Sequence, residues 1–209
     1  MASVWLRRFL FGLAAVLLPA ALLNAALPKH ALTPEAASLT GRLLIASPGI
    51  GDPRFYRTVI LIVRHGKDGA FGITINRPAG ERPLASLLEP LGDKAAPNAG
   101  SVRVFAGGPV EPQMGFVVHT TDYQHGETIA INGEVAATTS ADILRDIARG
   151  KGPTKALVAF GYAGWGAGQL EAELARKDWL VTTADEALIF DERRDRVWDE
   201  AMARHSREP

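Results

Sequence analysis

The chain has 209 residues, of which 47% are apolar and 22% charged, and its 23 Lys and Arg balance 23 Asp and Glu. This composition is typical of a globular protein, and the length suits one domain or one domain with an appendage. The absence of cysteine excludes a disulfide framework, a thiolate nucleophile and any cysteine-ligated zinc or iron–sulfur site. The lack of net charge disfavours direct nucleic-acid binding, because Lys and Arg supply most non-specific affinity for phosphate.

An apolar segment without charged side chains occupies residues 9–28, directly after Arg7 and Arg8. Its length suits a membrane-spanning helix, whereas residues 9–18 alone suit the apolar region of a signal peptide. No clean small-residue cleavage site separates the two readings. We therefore predict that residues 1–28 are an anchor or a cleaved signal, with an extended gene start or a buried helix as further alternatives. Both leading alternatives predict export or inner-membrane anchoring, with the domain outside the cytoplasm.

The remaining chain is predicted to contain one folded domain. Residues 29–39 include Pro34, lack periodicity and are predicted to be a linker. The domain is predicted to span residues 40–204, followed by a polar tail at residues 205–209.

Short β-like segments alternate with a few helices through this domain. Residues 58–63 are typical of a buried strand, and the turn at residues 65–69 predicts a hairpin. The other predicted strands are 42–47, 70–76, 102–106, 115–120, 128–131, 156–160 and 187–190, and the predicted helices are 83–91, 168–177, 195–204 and one between Ser140 and Gly150. Because no regular βαβ rhythm connects them, an α+β fold is favoured over a doubly wound one.

The segment after residues 156–160 is the most distinctive motif in the chain. Glycines at positions 161, 164, 166 and 168 surround Tyr162 and Trp165 and lead to Gln169 and Glu171. A strand, a glycine-rich loop and a helix can bind phosphate, but neither known nucleotide-binding glycine spacing is present. The segment predicts tight turns with both aromatic rings packed on the sheet, or alternatively a ligand or partner site.

Two other segments carry candidate binding groups. Gly107 and Gly108 precede Pro109 and predict either a glycine turn or backbone donors at a pocket rim. Asn76 and Arg77 end a predicted strand, where Arg77 is either an exposed side chain or an anion contact.

No catalytic or metal-binding motif accompanies these segments. The five histidines match neither H-E-x-x-H nor H-x-H, and no G-x-S-x-G sequence is present. His119, Asp122 and His125 form the only local cluster, and Glu171 and Glu173 diverge at i and i+2 on a predicted helix. The sequence therefore predicts no catalytic site, no metal and no cofactor.

Taken in order, these motifs resemble those of the YqgE/AlgH family. The resemblance covers about residues 40–198 and is carried by GRLLIASP at 41–48, DPRF at 52–55, His65 with GAFGITINRP at 69–78, GGPV at 107–110, GFVVH at 115–119, and GYAGW at 161–165 with GQLE at 168–171 through Trp179 and Leu180. It implies an α+β fold with a bent or bifurcated, barrel-like, mostly antiparallel sheet surrounded by helices in a single domain. It implies no established biochemical activity, and the AlgH name carries an association with transcriptional regulation of alginate production.

The chain departs from the family pattern at both ends. Relatives are usually cytoplasmic and lack an apolar leader, which residues 1–28 supply here. After Met202 the chain is short and polar, where relatives often continue with an apolar segment.

We therefore expect a non-catalytic regulatory domain that binds a small ligand or a protein partner. The expected surface combines the three segments described above, with candidate residues Asn76, Arg77, Gly107, Gly108, Tyr162, Trp165, Gln169 and Glu171. One alternative is a hydrolase-type enzyme in which His65 or His119 pairs with a distant carboxylate. The other is a transcriptional regulator that acts indirectly.

Overall fold

The computed structural model describes residues 38–93 and 100–208, which form one compact unit. Its strands are β1 (Arg42–Ala46), β2 (Val59–Gly66), β3 (Gly69–Thr74), β4 (Pro78–Pro83), β5 (Ser101–Ala106), β6 (Val110–Thr120), β7 (Thr128–Ala130), β8 (Val135–Thr138), β9 (Ala156–Gly166) and β10 (Trp179–Thr183). Its α-helices are α1 (Leu84–Leu88), α2 (Asp142–Ala148), α3 (Gln169–Ala175), α4 (Glu186–Ile189) and α5 (Val197–His205).

The predicted leader, residues 1–28, lies outside the described residues. Within the described ranges, no helix is both long enough and apolar enough to cross a membrane. The predicted polar tail is bound to the domain, because the Glu208 carboxylate accepts hydrogen bonds of 2.9 Å from the Thr182 hydroxyl and the Thr183 N–H.

The strands form one mostly antiparallel sheet in the order β10-β1-β2-β3-β9-β6-β8-β7. Off this path, β5 pairs parallel with β9 and antiparallel with β4. The chain before β1, one strand in from one end of the sheet, approaches the chain after β7 at the other end, since a Cβ on Gly41 would lie 3.3 Å from the Ile131 carbonyl. The sheet is therefore curled into a half-barrel, which confirms the expected single-domain α+β fold with a bifurcated, barrel-like sheet.

The sheet divides at β9. The first part of β9 pairs with β5 and the last part with β3. Between them, Gly161 adopts a left-handed φ of +73°. Leu157 and Ala159 before it belong to one hydrophobic cluster, whereas Ala163 and Trp165 after it belong to another. The odd-numbered side chains of β9 therefore point to one face of the sheet before Gly161 and to the opposite face after it.

The backbones touch at this division. Gly107 N–H donates to the Phe160 carbonyl at 2.7 Å, and the Gly107 carbonyl accepts from Thr74 N–H at 2.8 Å. A Cβ on Gly107 would lie 2.2 Å from the Gly161 oxygen, and one on Gly161 would lie 2.4 Å from the Gly108 oxygen. Only hydrogen fits between these chains, so the glycines let β5 and β3 meet the same edge of β9.

The two faces of the curled sheet pack against the helices in three hydrophobic clusters. The inner face packs against α4 and α5 through side chains such as Leu61, Val118 and Ile189. One half of the outer face packs Ile60 and Trp179 against α3, and the other half packs against α1 and α2.

The hairpin at residues 65–69 is confirmed, because Gly66 pairs with Gly69 across a two-residue turn. The predicted glycine-rich loop after residue 160 is wrong, because the Gly161 bulge lets β9 continue to Gly166. The predicted strand at residues 187–190 is also wrong. It is largely α4, whose first turn Asp185 caps by accepting from Leu188 N–H at 2.8 Å. Strands β4, β8 and β10 are additions to the predicted set.

Gly161→Ala is expected to lower the free energy of unfolding by about 2–4 kcal/mol, because it combines a left-handed φ with a backbone clash. The matched control is Gly166→Ala in the same strand, whose new Cβ would meet only a flexible glutamine oxygen at 3.9 Å. Urea unfolding measures both variants. Equal losses would contradict the role assigned to Gly161.

Candidate functional site

A cleft of about 830 Å³ lies at one end of the curled sheet and is lined mainly by side chains of its inner face, with Trp165 from the outer-face cluster. Its floor is formed by Phe71 of β3, Phe116 of β6 and Tyr162 of β9, and Ile129 of β7 forms one side. The Tyr162 ring lies edge-on, 5.9 Å from each of the two phenylalanine rings. The volume is within the range of about 300–1,000 Å³ that is usual for ligand sites. We call this feature the aromatic cleft.

Exposed charged side chains surround the aromatic cleft. Arg64, Asp68 and Glu111 line it. Among the residues that the structure describes, none forms a salt bridge or a side-chain hydrogen bond with any of the three. The rim therefore holds unmatched charges above an apolar floor, an arrangement suited to an amphipathic ligand.

One wall of the aromatic cleft is an irregular part of β6. The register shifts between Val110, which pairs with Tyr162, and Gly115, so the intervening residues stand out from the ladder. Glu111 there has a φ of +44°, and Met114 is 39% exposed in the cleft. A strained non-glycine residue and an exposed methionine are both features that concentrate at binding sites.

The structure divides the sequence candidates among separate places. Tyr162 and Trp165 line the aromatic cleft, whereas Arg77 and Gly108 line a smaller one of about 140 Å³. Gln169 and Glu171 line neither of these clefts. These candidates therefore line different clefts, and binding at one surface that combines the three motifs stays a prediction.

Asn76 and Arg77 have structural partners. The Asn76 side chain accepts from Val59 N–H and donates to the Arg57 carbonyl, both at 2.9 Å. The Arg77 guanidinium donates to the Tyr56 carbonyl at 2.6 Å and to the Thr58 hydroxyl at 2.8 Å. Together they hold the segment before β2 against the sheet.

The helix α3 presents a carboxylate to two buried indoles. Trp165 Nε1 and Trp179 Nε1 each donate to Glu173 Oε2 at 2.8 Å, and Gln169 Nε2 donates to Glu173 Oε1 at 2.9 Å. Glu171 contacts His65 instead, so the two carboxylates diverge as their spacing predicts. Gln169 and Glu173 thereby fasten α3 to the outer face of the sheet.

His65 and Glu171 are within hydrogen-bond reach, with Nε2 and Oε1 2.7 Å apart. Because His65 Nδ1 accepts from Leu39 N–H at 3.0 Å, the ring proton is on Nε2, which donates to Glu171. The backbone N–H of Glu171 and the hydrogen bond from His65 lower the pKa of this carboxyl. The pair satisfies the distance that the hydrolase alternative requires, but neither residue lines the aromatic cleft.

His119 is fully buried beside β8. Its Nδ1 donates to the Thr120 carbonyl at 2.8 Å, and its Nε2 has no partner among the described residues. Burial lowers the pKa of its imidazole. The predicted cluster with His125 does not form a metal site, because no group of three potential metal ligands exists within residues 38–93 and 100–208.

Most residues of the aromatic cleft were missed by sequence reasoning. Phe71, Met114 and Phe116 read as ordinary strand or loop residues, and Arg64 and Asp68 as a hairpin end. Nothing local distinguishes them, because they come from the three strands β2, β3 and β6 and from the β2–β3 turn, and they meet only after the sheet curls.

The fold and cleft define a class: a single-domain α+β protein built on a curled half-barrel sheet with a cleft on its inner face. The AlgH-like family model matches residues 43–209. A UPF0301 protein of Cereibacter sphaeroides is 46% identical over 168 residues, 80% of this chain and 91% of the relative. One from Rhodospirillum rubrum is 48% identical over 153 residues, 73% of this chain and 80% of the relative. The chain belongs to the AlgH-like family.

Solved structures agree with this assignment. The solution structure of the AlgH protein from Pseudomonas aeruginosa is 43% identical, with a TM-score of 0.71 over 81% of this chain and 89% of that one. A crystal structure of a Corynebacterium diphtheriae protein, 21% identical, has a TM-score of 0.64 over 81% and 86% of the two chains, and it supports the fold alone.

Glu173→Ala is expected to lower the free energy of unfolding by about 2–5 kcal/mol, because it leaves two buried indole N–H groups without an acceptor. Glu173→Gln keeps one side-chain oxygen and should lose much less. Urea unfolding followed by tryptophan fluorescence compares the two. Similar losses would show that the indole hydrogen bonds do not matter.

Acid is expected to weaken the fold through His119. Its folded-state pKa lies below the ordinary value of 6.5, so the unfolded chain takes up a proton at a higher pH. Its contribution to stability is present above about pH 6.5 and is lost as the pH falls, by at most about 1.4 kcal/mol per unit.

Urea unfolding at about pH 7.5 and pH 5.5 measures this loss, and His119→Asn should lose less than the unaltered chain. An NMR titration in which the His119 imidazole titrates at its ordinary pKa would contradict the prediction.

Proposed function

We propose that this protein is a non-catalytic binding module that captures a ligand or a segment of a protein partner in the aromatic cleft. The observation that carries this proposal is the combination of an apolar, aromatic floor with unmatched charges at the rim. The floor offers the contact area that drives binding, and the rim charges orient what enters.

The chemistry of the lining supports binding over catalysis. The described residues that line the cleft include no histidine, cysteine or serine, and its two carboxylates, Asp68 and Glu111, are exposed to solvent. Met114 adds a flexible, polarisable side chain that adapts to the shape of what it contacts. A regulatory role that acts through a bound partner is compatible with this site and remains part of the proposal.

The hydrolase alternative rests on the His65–Glu171 pair, whose 2.7 Å separation suits a general acid–base role. Against it, the His65 side chain is only 5% exposed and both of its ring nitrogens are engaged within the fold. The pair is better explained as a structural contact that holds residues 38–40 and α3 to the β2–β3 hairpin.

Met114→Glu is expected to weaken the binding of the uncharged, apolar fluorescent dye Nile red by about tenfold or more, because it places a charge over the aromatic floor. The matched control is Tyr56→Glu, which adds the same charge at a side chain that is 58% exposed and outside the cleft. Fluorescence titration measures both variants.

Both substitutions are at exposed positions, so unchanged urea midpoints should accompany the titrations. Dye binding that neither variant weakens, or that both weaken equally, would contradict the cleft as the binding site.

A further inference from the structure

We infer that the occupant of the aromatic cleft is an extended segment of a partner protein that carries basic side chains beside aromatic or apolar ones. This inference rests on the proposed binding function and specifies the chemistry of the ligand. Three features of the cleft carry it: the charge of the rim, the nature of the floor and the edge of β7 that pairs with no described strand.

The rim favours a cation. Asp68 and Glu111 supply two negative charges and Arg64 one positive charge, so the rim has a net charge of minus one. By contrast, Asp93 and Asp142, which lie outside the aromatic cleft, both bond Arg145. Unmatched carboxylates beside a concave surface attract positive charge and discriminate against anionic partners.

The floor favours an aromatic or large apolar side chain. Phe71, Phe116 and Tyr162 present edges and faces to the space above them, with centroids 5.9 to 6.3 Å apart. A further aromatic ring packs on such a cluster in the same edge-to-face manner. A basic residue two positions from that ring along an extended peptide would point the same way and lie at the level of the acidic rim.

The edge of β7 favours a peptide over a small molecule. β7 is the last strand of the sheet order and pairs with β8 and with no other described strand. Ile131 N–H donates to the Val135 carbonyl at 3.1 Å, so the backbone groups of Ile131 point towards the β8 side. In an antiparallel ladder, successive residues direct their N–H and C=O groups to alternate sides. The N–H and C=O of the preceding residue, the exposed Ala130, therefore point outwards, away from β8.

Ile129, next to Ala130, lines the cleft. An extended peptide that pairs with the outer edge of β7 therefore directs alternate side chains towards the cleft, which is the usual geometry of strand addition. A small amphiphilic cation would use the floor and the rim but would leave this edge unused.

The test uses the full-length protein and capped tetrapeptides, in which two phenylalanines lie between two lysines or between two glutamates. Isothermal titration calorimetry should find the lysine peptide bound at least about tenfold more tightly than the glutamate peptide. Alternate N-methylation of the lysine peptide should weaken its binding by a similar factor, because it removes amide donors needed for strand pairing.

The double substitution Asp68→Asn and Glu111→Gln should abolish the preference for the lysine peptide. The matched control is Glu81→Gln with Glu89→Gln, which removes the same charge from exposed positions outside the aromatic cleft and should retain the preference. Tyr162→Leu keeps an apolar side chain but loses the ring, and it should weaken both peptides.

Equal affinity for the two peptides, or a preference that survives the cleft double substitution, would overturn the assignment of a basic partner. Full binding of the N-methylated peptide would overturn strand addition and indicate a small amphiphile. If neither peptide binds while the dye still binds in a Met114-dependent manner, the inference fails and the proposed binding function stands.

Discussion

The close approach of the Gly107–Gly108 backbone to Gly161 is the constraint on which the rest of the structure depends. At this point β5 and β3 reach the same edge of β9, and a Cβ on Gly107 would lie 2.2 Å from the Gly161 carbonyl oxygen. The hydrogen bonds from Gly107 to Phe160 and from Thr74 to Gly107 join the two branches there. Because the sheet divides instead of continuing flat, it curls, and its inner face can hold both a hydrophobic cluster and a cleft.

The bulge at Gly161 also determines which residues reach the aromatic cleft. Before it, Val158 and Phe160 face the α1–α2 side of the sheet, and a regular strand would send Tyr162 to that side as well. With the bulge, Tyr162 joins Phe71 and Phe116 on the inner face. The same step sends Trp165 into the cluster under α3, where Glu173 accepts its indole N–H. A backbone feature with no side chain of its own thus assembles the proposed binding surface.

The titratable and charged residues that stand out in the sequence have structural roles in this fold. His65 holds Leu39 and Glu171, His119 is buried against β8, and Arg77 secures the segment before β2. Sequence reasoning marked these side chains because charge, imidazole and glycine are visible one residue at a time. The aromatic cleft is built from common residues of several strands, and their significance arises only from being placed side by side.

The sequence alone determined the family, the α+β class, the buried β2 strand and the β2–β3 hairpin, because each depends on local patterns or on motifs in order. It could not determine that residues 161–166 continue a strand, because glycine-rich segments are equally suited to a loop. Nor could it determine that residues 186–189 form a helix, because a four-residue apolar run fits a strand or a helix. Only the tertiary structure decided that Phe71, Phe116 and Tyr162 share one floor beneath Arg64, Asp68 and Glu111. That meeting depends on strand order, register and the bulge at Gly161, and these are settled by long-range pairing between segments that are far apart in the chain.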